Sequence, residues 1–127
     1  MKEIYSHKFF VQKAYELSYA LFRLAEKARE AHSSLADRLE ASALDLLNDV
    51  VGGGFSGAQK TLLGIHYFLR VGGDAGALNP SHVRMVVAEA EKLNSAIEDS
   101  NNSAKEENPA EIFSDWNSNS NNYRLLP

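Results

Sequence analysis

The four histidines of this 127-residue chain, at positions 7, 32, 66 and 82, are its best candidates for holding a metal or moving a proton near neutral pH. Helical proteins with a carboxylate-bridged metal pair carry Glu-x-x-His on two of their helices. No histidine here lies three residues after a glutamate. The chain also lacks cysteine, which excludes disulfides, thiolate zinc sites and iron–sulfur clusters.

The other signatures of catalysis are also missing. The zinc-protease pattern H-E-x-x-H and the nucleophile pattern G-x-S-x-G do not occur. The glycine-rich stretch at 52–58 could imitate an anion-binding loop. It follows a predicted helix and lacks the Gly-Lys-Ser/Thr ending, so we interpret it as a connector. We therefore expect no catalytic residues, no metal and no cofactor, and His66 is interpreted as a packed or interface residue.

The elements that carry these residues are predicted to be helices, because apolar residues recur every three or four positions. Short connections favour antiparallel neighbours. The sequence therefore predicts an all-α, up-down-up-down four-helix bundle over residues 1–99. The four core stripes are Phe10, Ala14, Leu17, Leu21, Leu24 and Ala28; Leu35, Leu39, Ala43, Leu46 and Val50; Phe55, Ala58, Leu62, Ile65 and Leu69; and Val83, Val86, Val87, Ala90, Leu93 and Ile97.

Capping residues and glycines predict where these helices begin and end. The predicted starts are Ser6, Ser34 with Asp37, Ser56 with Gln59, and Asn79 followed by Pro80, and the predicted ends are Ala31 and the glycines at 52–54 and 72–73.

Charge and hydropathy narrow the functional class. Thirteen basic and seventeen acidic residues give a net charge of −4, which argues against a general DNA-coating protein. No apolar run has the ~18 residues of a membrane span, so we expect a cytoplasmic protein. Four basic residues on the first two helices form either a weak nucleic-acid patch or an ordinary solvated surface. They are Lys13, Arg23, Lys27 and Arg38.

Two helices carry more apolar surface than one bundle can bury, whereas the second and fourth have a single apolar face. Either these extra side chains lie at the edge of the core, or they form a contact between copies of the chain. Because the first and third helices lie at diagonal corners, two unlike surfaces would favour a head-to-tail, cyclic homo-oligomer. The predicted interface residues are Val11, Tyr15, Tyr19 and Phe22 on the first helix, and Leu63, Tyr67, Phe68 and Val71 on the third.

Residues 100–127 form a tail in which twelve of 28 residues are Ser or Asn, too polar to bury a core. Within it, the segment 108–116 begins as a helix would, with Asn108, Pro109 and Glu111. The segment is either a transient turn or a short docking segment that places a tryptophan in a groove. The docking residues would be Ile112, Phe113 and Trp116.

The stretch SLADRLEASALDLLNDVV resembles the second helix of small four-helix-bundle proteins that include the accessory variability determinant of diversity-generating retroelements. It is more distantly similar to the proteins encoded in intervening sequences of bacterial 23S rRNA genes. KAYELSYALFRLAEKAREAH and ALNPSHVRMVVAEAEKLNSAI fit the first and fourth helices, so the resemblance covers about residues 8–98. It implies a barrel-like homopentamer.

Retroelement members of that family bind nucleic acid and a reverse transcriptase through a basic surface. The third helix of this chain, AQKTLLGIHYFLRVGG, is apolar where such a member would carry several arginines or lysines. Two functions stay open: a non-catalytic oligomeric scaffold or adaptor that binds a macromolecular partner, and an accessory nucleic-acid-binding protein acting with a reverse transcriptase.

Overall fold

The computed structural model describes residues 5–105, which fold into four α-helices without a β-strand in that range. This confirms the predicted all-α, four-helix class. The helices are α1 (His7–Ala28), α2 (Ser33–Val51), α3 (Phe55–Asp74) and α4 (Pro80–Lys105).

Each helix packs against two others. α1 contacts α2 and α4, and α3 contacts the same two helices, so α1 and α3 lie at diagonal corners of the bundle. The Ser18 hydroxyl donates to the Ala43 carbonyl at 2.9 Å, and Arg29 pairs with Asp37 at 2.8 Å. These two contacts connect α1 and α2 in opposite chain directions, which is compatible with the predicted up-down-up-down order.

The predicted stripes form the core. Leu21, Leu39, Ile65 and Ile97 have no exposed surface. Three predicted core residues, Leu35, Phe55 and Val87, are only partly buried and pack against the others. Leu78, from the connection between α3 and α4, also enters the core.

Two of the predicted helix starts are confirmed by their capping bonds. The Ser6 hydroxyl accepts a hydrogen bond from the Phe9 amide at 3.0 Å. Asn79 Oδ1 accepts from the amides of Ser81 and His82 at 2.8 and 3.4 Å, and Pro80 is the first residue of α4. These side chains satisfy amides that have no partner within the helix.

The capping pairs predicted for α2 and α3 are wrong. His32 and Gly54 are the N-caps, and neither makes a side-chain capping bond. Both helices therefore begin one residue before the predicted caps, and Ser34 and Ser56 lie inside them. A glycine is accepted at an N-cap because it has no Cβ to constrain its backbone.

The helix ends differ from the predictions in three places. α1 ends at Ala28, three residues before Ala31, and α4 continues to Lys105, into the first residues of the predicted tail. α3 continues through Gly72 and Gly73 to Asp74. Gly72 lies inside the helix, where the absence of a side chain lets Leu78 pack closely against the backbone. A Cβ at Gly72 would lie 2.6 Å from Leu78 Cδ1.

We expect Gly72→Ala to lower the free energy of unfolding relative to a matched Gly64→Ala variant by about 1–3 kcal/mol, the usual cost of overpacking. Both glycines lie within α3, but a Cβ at Gly64 would find only Phe68 Cε2 at 3.8 Å. Both variants gain the same helix propensity, so chemical denaturation of the two isolates the packing cost. Equal stabilities would contradict the close approach of Leu78.

Candidate interaction surfaces

Large apolar side chains of α1 point into solvent. Tyr15 is 57% exposed, Tyr19 56% and Phe22 36%. In projection down the helix, Val11, Phe22 and Tyr15 lie about 20° to 60° beyond Ser18. Because Ser18 bonds α2, these side chains follow the outer edge of the α1–α2 contact.

The second helix contributes to the same surface. Leu44 is 58% exposed and Val51 53% exposed. Arg29, just after α1, pairs with Asp37 at 2.8 Å and Glu40 at 2.6 Å, which identifies the side of α2 that faces α1. Leu44 and Val51 lie between those two carboxylates in helical projection.

We call this surface the α1–α2 face. The single apolar face predicted for the second helix is therefore wrong. In the described part of the fourth helix, Met85 is an isolated exposed apolar residue, 68% exposed. Leu44 and Val51 could not be identified from the sequence, because only the packed structure shows which side of α2 adjoins α1. The α1–α2 face consists of Val11, Tyr15, Tyr19, Phe22, Leu44 and Val51.

The apolar residues predicted on α3 are divided between two sides of that helix. Gln59 Nε2 donates to Asn94 Oδ1 on α4 at 3.2 Å, and Leu63 and Tyr67 lie about 40° and 80° beyond Gln59. They are half-buried along the α3–α4 edge. Phe68 instead lines a groove between α2 and α3.

The outer side of α3 also has an exposed aliphatic residue. Val71 is 64% exposed and lies next to Tyr67 on the helix surface. Val87 of α4 is half-buried on the side that faces α3. We call these four residues, Leu63, Tyr67, Val71 and Val87, the α3–α4 face. Because α2 and α4 each lie between α1 and α3, the two faces are on opposite sides of the bundle.

The four basic residues considered for nucleic acid do not converge. Lys13 lines a groove between α1 and α4, whereas Arg38 lines the groove between α2 and α3. Lys13 pairs with Glu16 at 3.6 Å, and Lys27 is exposed in the last turn of α1. These cations therefore lie on separate grooves and ends of the bundle, and they form no continuous basic stripe.

Arg23, the remaining member of that set, is occupied by its own helix. Its Nη1 donates to the Tyr19 hydroxyl at 3.2 Å, and its Nε pairs with Glu26 at 3.6 Å. The hydrogen bond to Tyr19, followed by the charge of Glu26, raises the pKa of Arg23. The guanidinium thus borders the α1–α2 face as a permanent cation.

The glycine-rich connector is closed to anions by a carboxylate. A Cβ added to Gly57 would lie 3.2 Å from Asp49 Oδ2, and the Asp49 carbonyl accepts from the Gly54 amide at 2.8 Å. Asp49 thus places its negative charge at the first turn of α3, where the helix dipole favours it. An external phosphate at this helix start would meet that charge.

Three further predictions from the sequence concern a metal site, a membrane span and the docking residues of the tail. Residues 5–105 contain no cluster of three or more histidine, aspartate or glutamate side chains able to hold a metal ion. No helix in this range is long and apolar enough to cross a membrane. The predicted docking residues Ile112, Phe113 and Trp116 lie outside the described residues.

No protein-family model, curated protein or solved structure matches this chain. The family resemblance therefore stays a prediction from the sequence.

We expect Tyr15→Ser and Leu44→Ser each to change the free energy of unfolding of the monomer by less than about 0.5 kcal/mol, because both side chains are more than half exposed. Leu21→Ala, in the core, should cost about 2–5 kcal/mol. Denaturation at submicromolar protein measures all three. A large loss for Tyr15→Ser would mean that the α1–α2 face is part of the monomer fold.

Proposed function

We propose that this protein is a non-catalytic, cytoplasmic homo-oligomeric scaffold or adaptor that binds a macromolecular partner. Its copies meet through the α1–α2 and α3–α4 faces. The observation that carries the proposal is the exposure of Tyr15, Tyr19 and Phe22 beside Leu44 and Val51. Contiguous apolar surface of this kind is uncommon on monomers and usually marks a contact.

The size of the α1–α2 face suits the centre of an interface. Aromatic side chains offer 150–250 Å² each, so its exposed fractions amount to roughly 500 Å² of apolar surface. A specific interface buries about 800 Å² per partner, with an apolar centre and a polar rim. Arg23 and Glu26, both exposed, supply part of such a rim.

The arrangement of the faces favours a head-to-tail contact. A two-fold contact uses the same patch on both copies, whereas two different patches on opposite sides join unlike surfaces. Such a contact closes into a ring where the rotation between copies permits and otherwise continues as a filament, and we propose the ring. The family that the sequence resembles forms a ring of five.

Light scattering of the full chain at tens of micromolar should give a mass well above the 14.0 kDa of one chain. The double variant Tyr15→Lys/Tyr19→Lys should lower the mass to that of a monomer, because burying two unpaired ammonium groups is costly. Met85→Lys is the matched control, since Met85 is 68% exposed and lies outside both faces. A monomeric wild type would refute the proposal.

Mixing two defective variants tests the head-to-tail geometry. The first is Tyr15→Lys/Tyr19→Lys, and the second is Tyr67→Lys/Val71→Lys on the α3–α4 face. Each alone should be monomeric, and an equal mixture should form a heterodimer and nothing larger, since one intact face of each kind remains. If the second variant alone still dimerises, the contact is two-fold and the α3–α4 face is not part of it.

A further inference from the structure

The α3–α4 face has a basic border on the α3 side. Arg70 lies one turn after Tyr67. Lys60 lies one turn before Leu63, between the α3–α4 face and the α2–α3 groove, which it lines together with Asp45. Both cations are exposed, and neither forms an ion pair with any residue in the range 5–105. Two unpaired cations beside half-buried apolar side chains fit a segment that is acidic and aromatic.

The C-terminal part of this chain has that chemistry. Residues 106–127 contain four acidic residues and one basic residue. Two of the acids, Glu111 and Asp115, immediately precede Ile112 and Trp116. Trp116 is also the only tryptophan in the protein.

The position of Lys105, the last described residue, sets the distance that the following chain must span to reach Tyr67. Gln59 and Asn94 are in contact, which sets α3 and α4 in register. Lys105 lies eleven residues beyond Asn94, and Tyr67 lies eight residues from Gln59 in the opposite direction. At 1.5 Å per residue, Lys105 and Tyr67 are about 28 Å apart along the bundle.

The chain after Lys105 covers this distance. Eleven residues lead to Trp116 and span up to about 36 Å, which exceeds the distance to Tyr67. Six residues lead to Glu111 and span about 20 Å, against about 18 Å to the level of Lys60. An extended connection is therefore long enough for Trp116 to reach Tyr67 and for Glu111 to reach Lys60. A helix over 108–116 would leave Trp116 short of Tyr67, so docking requires this segment to bind in an extended form.

The opposite surface is less suitable. On the α1–α2 face, Arg23 is already paired with Glu26 and Arg29 with Asp37, so these two cations offer an acidic segment less than the unpaired Lys60 and Arg70 do. A chain leaving α4 would also have to pass around α1 to reach it.

We infer that residues 111–116 dock in cis on the α3–α4 face, with Trp116 against Leu63 and Tyr67 and Glu111 beside Lys60. The docked segment covers one of the two faces used for assembly and so limits the growth of the oligomer until it is displaced. That consequence rests on the proposed function; the docking does not.

The fluorescence of Trp116 reports docking directly. The measurement uses the full chain carrying Tyr15→Lys/Tyr19→Lys at submicromolar concentration, so that assembly does not contribute. We expect emission at shorter wavelength and weaker quenching by acrylamide than for a synthetic peptide of residues 106–127. Adding Tyr67→Lys should bring both values to those of the peptide, whereas Met85→Lys should leave them unchanged.

Lys60→Glu is a second variant, on an exposed side chain that is not part of the core, and circular dichroism checks the fold of each protein. It should weaken docking by at least about 1.5- to 5-fold, the range for the loss of one exposed ion pair, because the new glutamate also repels Glu111. Raising the salt concentration should reduce the difference in docking between the Lys60→Glu variant and the chain that retains Lys60, because ions screen exposed charges.

The outcomes separate this inference from the proposed function. Peptide-like emission and quenching of Trp116 in the chain would overturn docking, as would protection that depends on protein concentration, which indicates docking in trans. Protection of Trp116 that is lost in Tyr67→Lys supports docking even if the wild type proves monomeric. An oligomeric wild type with a peptide-like Trp116 would leave the proposed function standing and this inference refuted.

Discussion

The close approach of α1 and α2 is the constraint that shapes the surface of this bundle. Ser18 is buried, and its hydroxyl reaches the Ala43 carbonyl at 2.9 Å, a distance that leaves no room for a large side chain between the two backbones. Buried alanines, among them Ala14 and Ala36, lie on the same inner side of the two helices. Small residues in the contact mean that the larger ones nearby must lie at its outer edge. The exposure of Tyr15 therefore follows from the packing of its neighbours.

The core of the bundle can bury aromatic residues. At the end of the bundle where α1 and α3 begin, Phe10 is 2% exposed and its ring centroid lies 4.8 Å from that of Phe55. Tyr5 and Phe9 stack beside them at 4.7 Å. Aromatic pairs of this kind add about 0.5–1.5 kcal/mol to the area they bury. Since α1 buries Phe10 almost completely, the exposure of the tyrosines in its middle is compatible with the proposed contact between copies.

What the sequence could predict depended on the range of the interaction involved. The start of α4 was predictable because Asn79 and Pro80 act within one turn of their own helix. Ser56 has the same capping chemistry, yet the helix begins before it, because the connection from α2 places Gly54 at the N-cap. The sequence predicted a helix end at Gly72, whereas in the structure Gly72 leaves space for the side chain of Leu78. That contact is visible only in the packed chain.

For the interaction surfaces as well, the sequence predicts features within one helix but not contacts between helices. The excess apolar residues on α1 could be found from helical spacing alone, since Tyr15 and Tyr19 lie on the wrong side for the core. The contribution of Leu44 and Val51 was hidden, because each looks like an isolated surface residue until α2 is placed beside α1. Likewise, Phe68 was grouped with Tyr67 by sequence, but the neighbours of α3 separate them.

The net charge of the whole chain does not show which kind of segment the α3–α4 face attracts. The net charge of −4 is unevenly distributed along the chain. Residues 71–127 hold nine acidic and four basic side chains, whereas α3 carries two basic residues, Lys60 and Arg70, and one acidic residue, Asp74. A tether of a few residues gives an effective concentration in the millimolar range. A segment with a dissociation constant of only ~0.1 mM would then be docked about nine-tenths of the time. A second copy arriving at micromolar concentration must bind far more tightly to displace it, so the outcome depends on the large apolar area of the α1–α2 face that the second copy brings to the contact.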